Sequence, residues 1–216
     1  MNTKLGARGI AAKRLIKNNL FTGPDPIIGS KKQFIAGLLS STSDMHIKKL
    51  PVTVTWLDPA EVDAIDPATV WGVGVVPFTE DGDVVVVRLR RGIEIPAGGI
   101  EPADVDFEAT ARREAWEEAR ITLGELELAQ VARVDRVDVD EPARYLVFYA
   151  GAVRSMPPFE QHCESMGRLV VSCEEYVEKD GFGPYSLSAG RYRMISQAKA
   201  AMRRMARRAR RSLVAA

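Results

Sequence analysis

Between Ile95 and Thr122 the chain reads IPAGGIEPADVDFEATARREAWEEARIT, and four of its side chains, Arg113, Glu114, Glu117 and Glu118, have types and spacing that could do chemistry. On a helix of 3.6 residues per turn, Glu114 and Glu118 fall one turn apart on the same edge, with Glu117 beside them. Like charges at that spacing repel by about a few tenths of a kcal/mol, so three acids together require a counter-charge. Arg113 brings one positive charge, too little for three carboxylates. A hard divalent cation would complete the balance, and Mg²⁺ or Mn²⁺ favours such an all-oxygen site. Pro96, Gly98, Gly99 and Pro102 punctuate a turn just before the helix, where a backbone carbonyl and the helix edge can meet at one ion. The alternative is a solvated, salt-bridged helix face. The glycine-rich turn weighs toward a site.

The stretch resembles the Nudix box, whose pattern is a Gly, five residues, a Glu, seven residues, then Arg-Glu-hydrophobic-x-Glu-Glu-x-Gly-hydrophobic. Arg113, Glu114, Ala115, Glu117, Glu118 and Ile121 match the second half, and Gly98 is taken as the opening glycine. The resemblance implies a hydrolase that uses a divalent metal to cleave a nucleoside diphosphate linked to another group. It implies metal ligands at Glu114, Glu117 and Glu118, a further ligand in the Gly98 carbonyl, and an orienting role for Arg113. Two departures stand out. Counted from Gly98, the first Glu of the pattern falls on Asp104, one residue too far from Arg113, so either the turn bulges around Val105 or the position has no equivalent. The closing glycine is Arg120, which predicts that the helix cannot end in the usual left-handed turn there and leaves that part to Gly124. With these departures, a Nudix-fold binding or regulatory module without turnover is the rival reading.

Upstream, Arg88-Leu89-Arg90-Arg91-Gly92-Ile93-Glu94 runs into the box. It resembles a shortened form of the segment that precedes the box in the ADP-ribose and ADP-sugar pyrophosphatase branch, and by that resemblance Arg90 and Glu94 face the substrate. Solvent-exposed strand arginines are the alternative. Metal-assisted attack on phosphorus also needs a base or water-holder. In many Nudix enzymes this is a Glu in a loop after the later strands, which leaves Glu160 and Glu164, with Glu164 preferred because SMGRLVVS resembles the strand such loops enter. His162 is a lone loop histidine and reads as polar surface.

The helix that carries the acids is predicted to begin at Asp104 or Asp106 as cap and to run through Ala119. Phe107, Ala111, Ala115 and Ala119 form its narrow apolar stripe, suited to close approach to a sheet. Trp116 is placed against the outer layer. Strands are predicted at Val52–Trp56, Trp71–Phe78, Asp83–Arg90, Glu125–Asp138, Arg144–Val153 and Leu169–Ser172. The four consecutive valines at 84–87 indicate a strand buried on both faces. A long helix spans Arg191–Arg211, and short amphipathic helices are read at Ala11–Leu20 and Lys32–Leu39. Strands flanking a central helix, with helices at the ends, indicate an α/β fold, a Nudix-type α/β/α sandwich with a mixed β-sheet.

Composition fits an ordinary globular chain of 216 residues: 46% hydrophobic, 27% charged, net charge +1. The small net charge hides a polar layout. Residues 1–50 and 199–216 each carry +7, so the middle holds −13. The organisation expected is a basic N-terminal arm over 1–50 that packs on the domain or a second subunit, a catalytic domain over 51–198, and a basic helix end over 199–216. The arginine-rich end is read as solvated or docked on acidic surface; without interleaved aromatics it is a weak nucleic-acid signal. Two cysteines without metal-ligand spacing read as free thiols. No apolar run suits a membrane span and Lys13, Arg14 and Lys17 interrupt any signal core, so a cytoplasmic location is the expectation, with a transit peptide as the alternative reading of the basic start. A homodimer acting on a small-molecule nucleotide is expected.

Overall fold

The computed structural model describes residues 33–35, 51–136, 140–161, 163–178 and 188–214. The arm expected over residues 1–50, with its helix at Ala11–Leu20, lies outside these apart from a three-residue strand, β1 (Gln33–Ile35). That strand stands where part of the helix at Lys32–Leu39 is read, the rest of that span lying outside the described residues. It pairs antiparallel with β2 (Pro51–Leu57), Phe34 opposite Val52. Pairing with a distant edge is a tertiary choice that overrides a local helical pattern.

Two short 3₁₀ turns follow, capped by Asp58 and Asp66, each side chain accepting from a backbone N–H two residues on. Then come β3 (Val70–Phe78), β4 (Val84–Leu89), β5 (Gly92–Glu94), β6 (Ala97–Gly98), helix α1 (Phe107–Ala119), β7 (Thr122–Arg136), β8 (Arg144–Ser155) and β9 (Gly167–Val171). Helices α2 (Cys173–Glu178) and α3 (Ser188–Val214) complete the chain. The sheet order is β1-β2-β7-β8-β3-β4-β5, with β6 added on β3 and β9 on β4. The β3–β8 pair is parallel and the other pairs are antiparallel, so the sheet is mixed.

The valine run explains the layering. Val84 and Val86 pack on one face with Ile195, Ala198 and Ala201 of α3. Val85 and Val87 pack on the other with Ala111, Ala115 and Ala119 of α1. Strand periodicity of two sends alternate valines to opposite cores, and all four are fully buried. The result is the α/β/α sandwich.

One irregularity makes room for the site. Strands β3 and β4 pair only at Phe78 and Val84 and then separate. The earlier part of β3 instead pairs with β6, Val73 opposite Gly98 and Gly74 opposite Ala97, while the Val75 N–H donates to the Pro96 carbonyl at 3.0 Å. The glycine-rich turn is thereby sewn to the sheet directly beneath α1. The alanine stripe sets how closely α1 can lie. Ala115→Leu should overfill that contact, lowering stability by roughly 1–3 kcal/mol. The check is a denaturant titration, with a lower midpoint and an unchanged slope expected; an unmoved midpoint would mean that α1 is not pressed onto the sheet.

Candidate active site

Asp106 caps α1, its carboxylate accepting the Ala109 N–H at 2.7 Å, and the helix ends after Ala119. Its first turns place Arg113 over the preceding turn. The Arg113 guanidinium donates to Asp104 through Nε (3.2 Å) and Nη2 (3.0 Å), to the Gly99 carbonyl (2.6 Å), to Glu114 (2.7 Å) and to Glu117 (2.9 Å). Glu101 stands 3.4 Å away. Asp104 is itself held by the Glu101 N–H and the Thr110 hydroxyl. Hydrogen bonding from Arg113 keeps the Asp104 carboxyl below the ordinary aspartate range, and the acids around it raise Arg113 further above its ordinary value.

Glu114 and Glu118 are the buried members of the cluster, with 7% and 4% of their surface exposed. Burial raises both carboxyls, Arg113 opposing the shift at Glu114. Glu118 lies outside the reach of Arg113 and is pushed up to about 8 by burial, with the charge of Glu114 adding to the shift. Its Oε2 accepts the Ala97 N–H at 2.9 Å, which binds the helix to β6. A Cβ at Gly98 would collide with the Glu114 carboxylate, so a side chain here would displace that carboxylate from the turn. Among the described residues, no three acidic, histidine or cysteine side chains converge as a cation cage. Glu114 and Glu117 instead face Arg113. The donor set still fits a hard cation: it is oxygen only, its two innermost carboxylates are buried, and one of them lacks an arginine partner.

The loop between β8 and β9 lies close by. Arg91 donates through Nη1 to Glu164 at 3.1 Å and forks onto Glu94 at 3.1 Å. Both Arg91 and Glu164 are near enough to Glu118 to act on its charge, Arg91 favouring the ionised form and Glu164 opposing it. Arg90 is exposed at the tip of the β4–β5 hairpin, next to Arg91, and Glu94 faces Arg91. Glu160 offers its carbonyl toward Arg120, while His162 lies outside the described residues. Trp116 is not packed in a layer; it is 44% exposed, with Arg120 over its ring at 5.3 Å. Both cysteines are free, Cys163 exposed and Cys173 buried.

Residues 68–190, more than half of the chain, match the NUDIX domain. The chain belongs to the Nudix family. It is a hydrolase of the class that acts on phosphoanhydride bonds. The chain is similar to a mutant of the Bacillus subtilis pyrophosphohydrolase BsRppH at 18% identity, over 62% of this chain and 81% of that one, with a TM-score of 0.49. A NUDIX hydrolase from Nitrosomonas europaea aligns at 19% identity over 59% and 88% of the two chains, with a TM-score of 0.48. The NUDIX domain of Shewanella oneidensis NrtR complexed with ADP ribose aligns at 16% identity over 66% and 97%, with a TM-score of 0.48. No curated protein sequence matches the chain. No helix among the described residues is long and apolar enough to cross a membrane.

Both departures from the Nudix pattern resolve in the geometry. Counted from Gly99 rather than Gly98, the spacing to Arg113 is regular, and the position of the first Glu becomes Val105, which is 89% exposed. Asp104, one residue earlier, has a side chain 5% exposed and makes the contact to Arg113 itself. At the other end, the expectation that α1 cannot close in a left-handed turn at Arg120 is corrected. Arg120 takes φ 52 and ψ 47, its N–H donates to the Trp116 carbonyl at 3.0 Å, and the Ile121 N–H donates to Ala115. Stacking on Trp116 offsets part of the cost of that conformation. Arg168 adds a clasp, donating to the Ala119 and Arg120 carbonyls (3.0 and 3.2 Å) and to Pro157 (2.8 Å). Sequence reasoning missed Arg91 and Arg168. Gly92, at φ 140, marks the tight hairpin that points to Arg91; Arg168 carries no local signal.

The raised carboxyl of Glu118 has a consequence for stability. Its folded-state value lies above the unfolded one, so the neutral form favours folding. That contribution is complete below the unfolded value near 4.3 and is lost as pH rises through about 8. Between pH 5 and pH 9 with chelator present, the wild type should lose about 1 kcal/mol or more relative to Glu118→Gln, or ~2–4 °C of Tm. Thermal melts of both proteins check this; parallel curves would refute it.

Proposed function

We propose that the protein hydrolyses the diphosphate of a nucleoside diphosphate linked to another group, of the ADP-ribose or nucleotide-sugar type, with Mg²⁺ or Mn²⁺ required. The observation that carries the metal dependence is the buried pair Glu114 and Glu118 set against the Gly98 turn, with Glu118 outside the reach of Arg113. The resemblance of residues 88–98 to the ADP-ribose and ADP-sugar branch supports the substrate class.

In this reading Glu114, Glu117, Glu118 and the Gly98 carbonyl hold the cation, with Arg113 fixing the spread of the carboxylates. The cation, when bound, supplies Lewis-acid polarisation and charge neutralisation at the diphosphate oxygens. Arg113 acts from a position tied to both the turn and the helix, holding Glu114 and Glu117 at defined spacing before substrate arrives. Glu164 takes the proton of the attacking water. It is held by Arg91 at 3.1 Å. Arg90, at the hairpin tip, offers its planar fork to phosphate oxygens. Glu94, which faces the substrate by the same resemblance, also grips Arg91. The reading of a non-catalytic module loses its ground, because Asp104 supports Arg113 and Arg120 closes the helix as a glycine would.

Incubating the protein with a panel of nucleoside diphosphate compounds and Mg²⁺ or Mn²⁺, with phosphate read after phosphatase treatment, should give metal-dependent release from ADP-ribose or a nucleotide sugar. Failure of every compound with either metal would refute the proposal. Glu118→Gln should fold normally by circular dichroism and lose on the order of 10²-fold or more in turnover. Near-normal turnover would remove Glu118 from the machinery.

A further inference from the structure

We infer that Arg91 is a positioning residue for the reaction, holding Glu164 within reach of the acidic edge of α1; this rests on the reading of Glu164 as proton acceptor given above. Three observations lead to it. The first is the electrostatic setting of Glu164. Its side chain is 62% exposed and approaches Glu118, whose own charge it opposes. A carboxylate on an irregular loop should swing away from such a neighbour into water. Arg91, paired with Glu164 at 3.1 Å and favouring the ionised form of Glu118, is the cation that reverses this preference.

The second observation is that Arg91 is oriented independently of Glu164. Its Nε and Nη2 are engaged by Glu94, three residues on across the hairpin, and the side chain is only 18% exposed. The fork is thus pre-set on a sheet-anchored hairpin, with Nη1 left to face the loop at 3.1 Å. The third is the way the loop is pinned. Its start is held by Arg168 at the Pro157 carbonyl, and its end by the Met166 N–H donating to the Arg88 carbonyl at 2.8 Å. Between those anchors Cys163 sits in the left-handed region at φ 51, fixing the turn that delivers Glu164. Arg91 is what sets the direction of the side chain itself.

With Glu164 62% exposed, its ion pair with Arg91 contributes little to folding. The expected effect is therefore on rate and not on stability, and this separates positioning from a structural role. With the compound that turns over fastest in the screen, kcat and KM are measured for Arg91→Gln, Arg91→Lys, Glu164→Gln and the double variant Arg91→Gln/Glu164→Gln. Glu164→Gln should lower kcat by about 10²-fold or more. Arg91→Gln should lower kcat by about 10-fold at nearly constant KM, Arg91→Lys should recover part of that loss, and the double variant should be no worse than Glu164→Gln alone. Losses that multiply, a rise in KM with kcat unchanged, or normal turnover by Glu164→Gln would each overturn the proposal. Amide hydrogen exchange on metal-free protein gives a readout independent of activity. Arg91→Gln should speed exchange at residues 159–161 and 163–166 and leave α1 unchanged. If the wild type turns over none of the compounds, the proposed substrate class fails and exchange decides the positioning of the loop; exchange equal to wild type would overturn it.

Discussion

Acidic side chains cannot be gathered at the foot of a helix, half out of water, unless positive charge is gathered with them, and Arg113 is that charge. Its five N–H groups are shared among Asp104, Glu114, Glu117 and the Gly99 carbonyl. Because those partners come from both the turn and the helix, one guanidinium makes the two move as a single piece. Lysine could not do this, since a point charge lacks the fork needed to face several partners in one plane. Glu118 is the acid that this network does not reach. It therefore bears the cost of burial with a backbone N–H as partner, and that asymmetry marks where further positive charge is wanted.

The sheet supplies the place. A strand pair that stayed in register from Phe78 back to Val70 would leave no opening beside α1. Early separation of β3 from β4 lets β6 dock on β3, and brings the Ala97 N–H and the Gly98 backbone under the helix edge. The alanine stripe completes the arrangement. Side chains of one carbon let the helix axis lie near the sheet, and carboxylates at the edge of the stripe then reach the turn backbone. A bulkier stripe would lift the acids off the glycine. Packing and site geometry are thus set by the same residues, Ala111, Ala115 and Ala119, each fully buried.

Much of this was legible in the sequence because its causes are local. The valine run, the Asp106 cap, the helix through Ala119 and the strands around it each follow from period or capping, and the acid spacing on α1 announced a cluster before any contact was known. What stayed hidden depends on residues distant along the chain. Arg91 and Glu164 are 73 positions apart, and nothing near either one signals the other. Phe34 becomes strand because β2 is there to receive it. Asp104 was ambiguous for a different reason: two adjacent glycines offer two counting origins, and only the side chain's direction distinguishes them. Arg120 was misjudged because the preference for glycine in a left-handed turn is a cost of roughly 1–2 kcal/mol, not a prohibition.

The polar layout of charge has a similar resolution. Helix α3 buries Ile195, Ala198, Ala201 and Met205 against the sheet, which fixes the direction in which its arginines leave the core. Arg204 reaches Glu127 and the Leu128 carbonyl, and Arg208 reaches Glu125 and Glu127, all on β7. Those two acids sit on an otherwise acidic middle segment, so part of the basic end neutralises part of the domain that carries it. The pairing also lowers the Glu127 carboxyl against the opposing effect of burial. Arginine suits this position because its long stem can cover the outer side of β7 while the guanidinium stays at the rim. Arg207, Arg210 and Arg211 extend beyond these acids into solvent. The same helix that closes one core therefore carries the domain's compensating charge, and its packing stripe determines which arginines can do so.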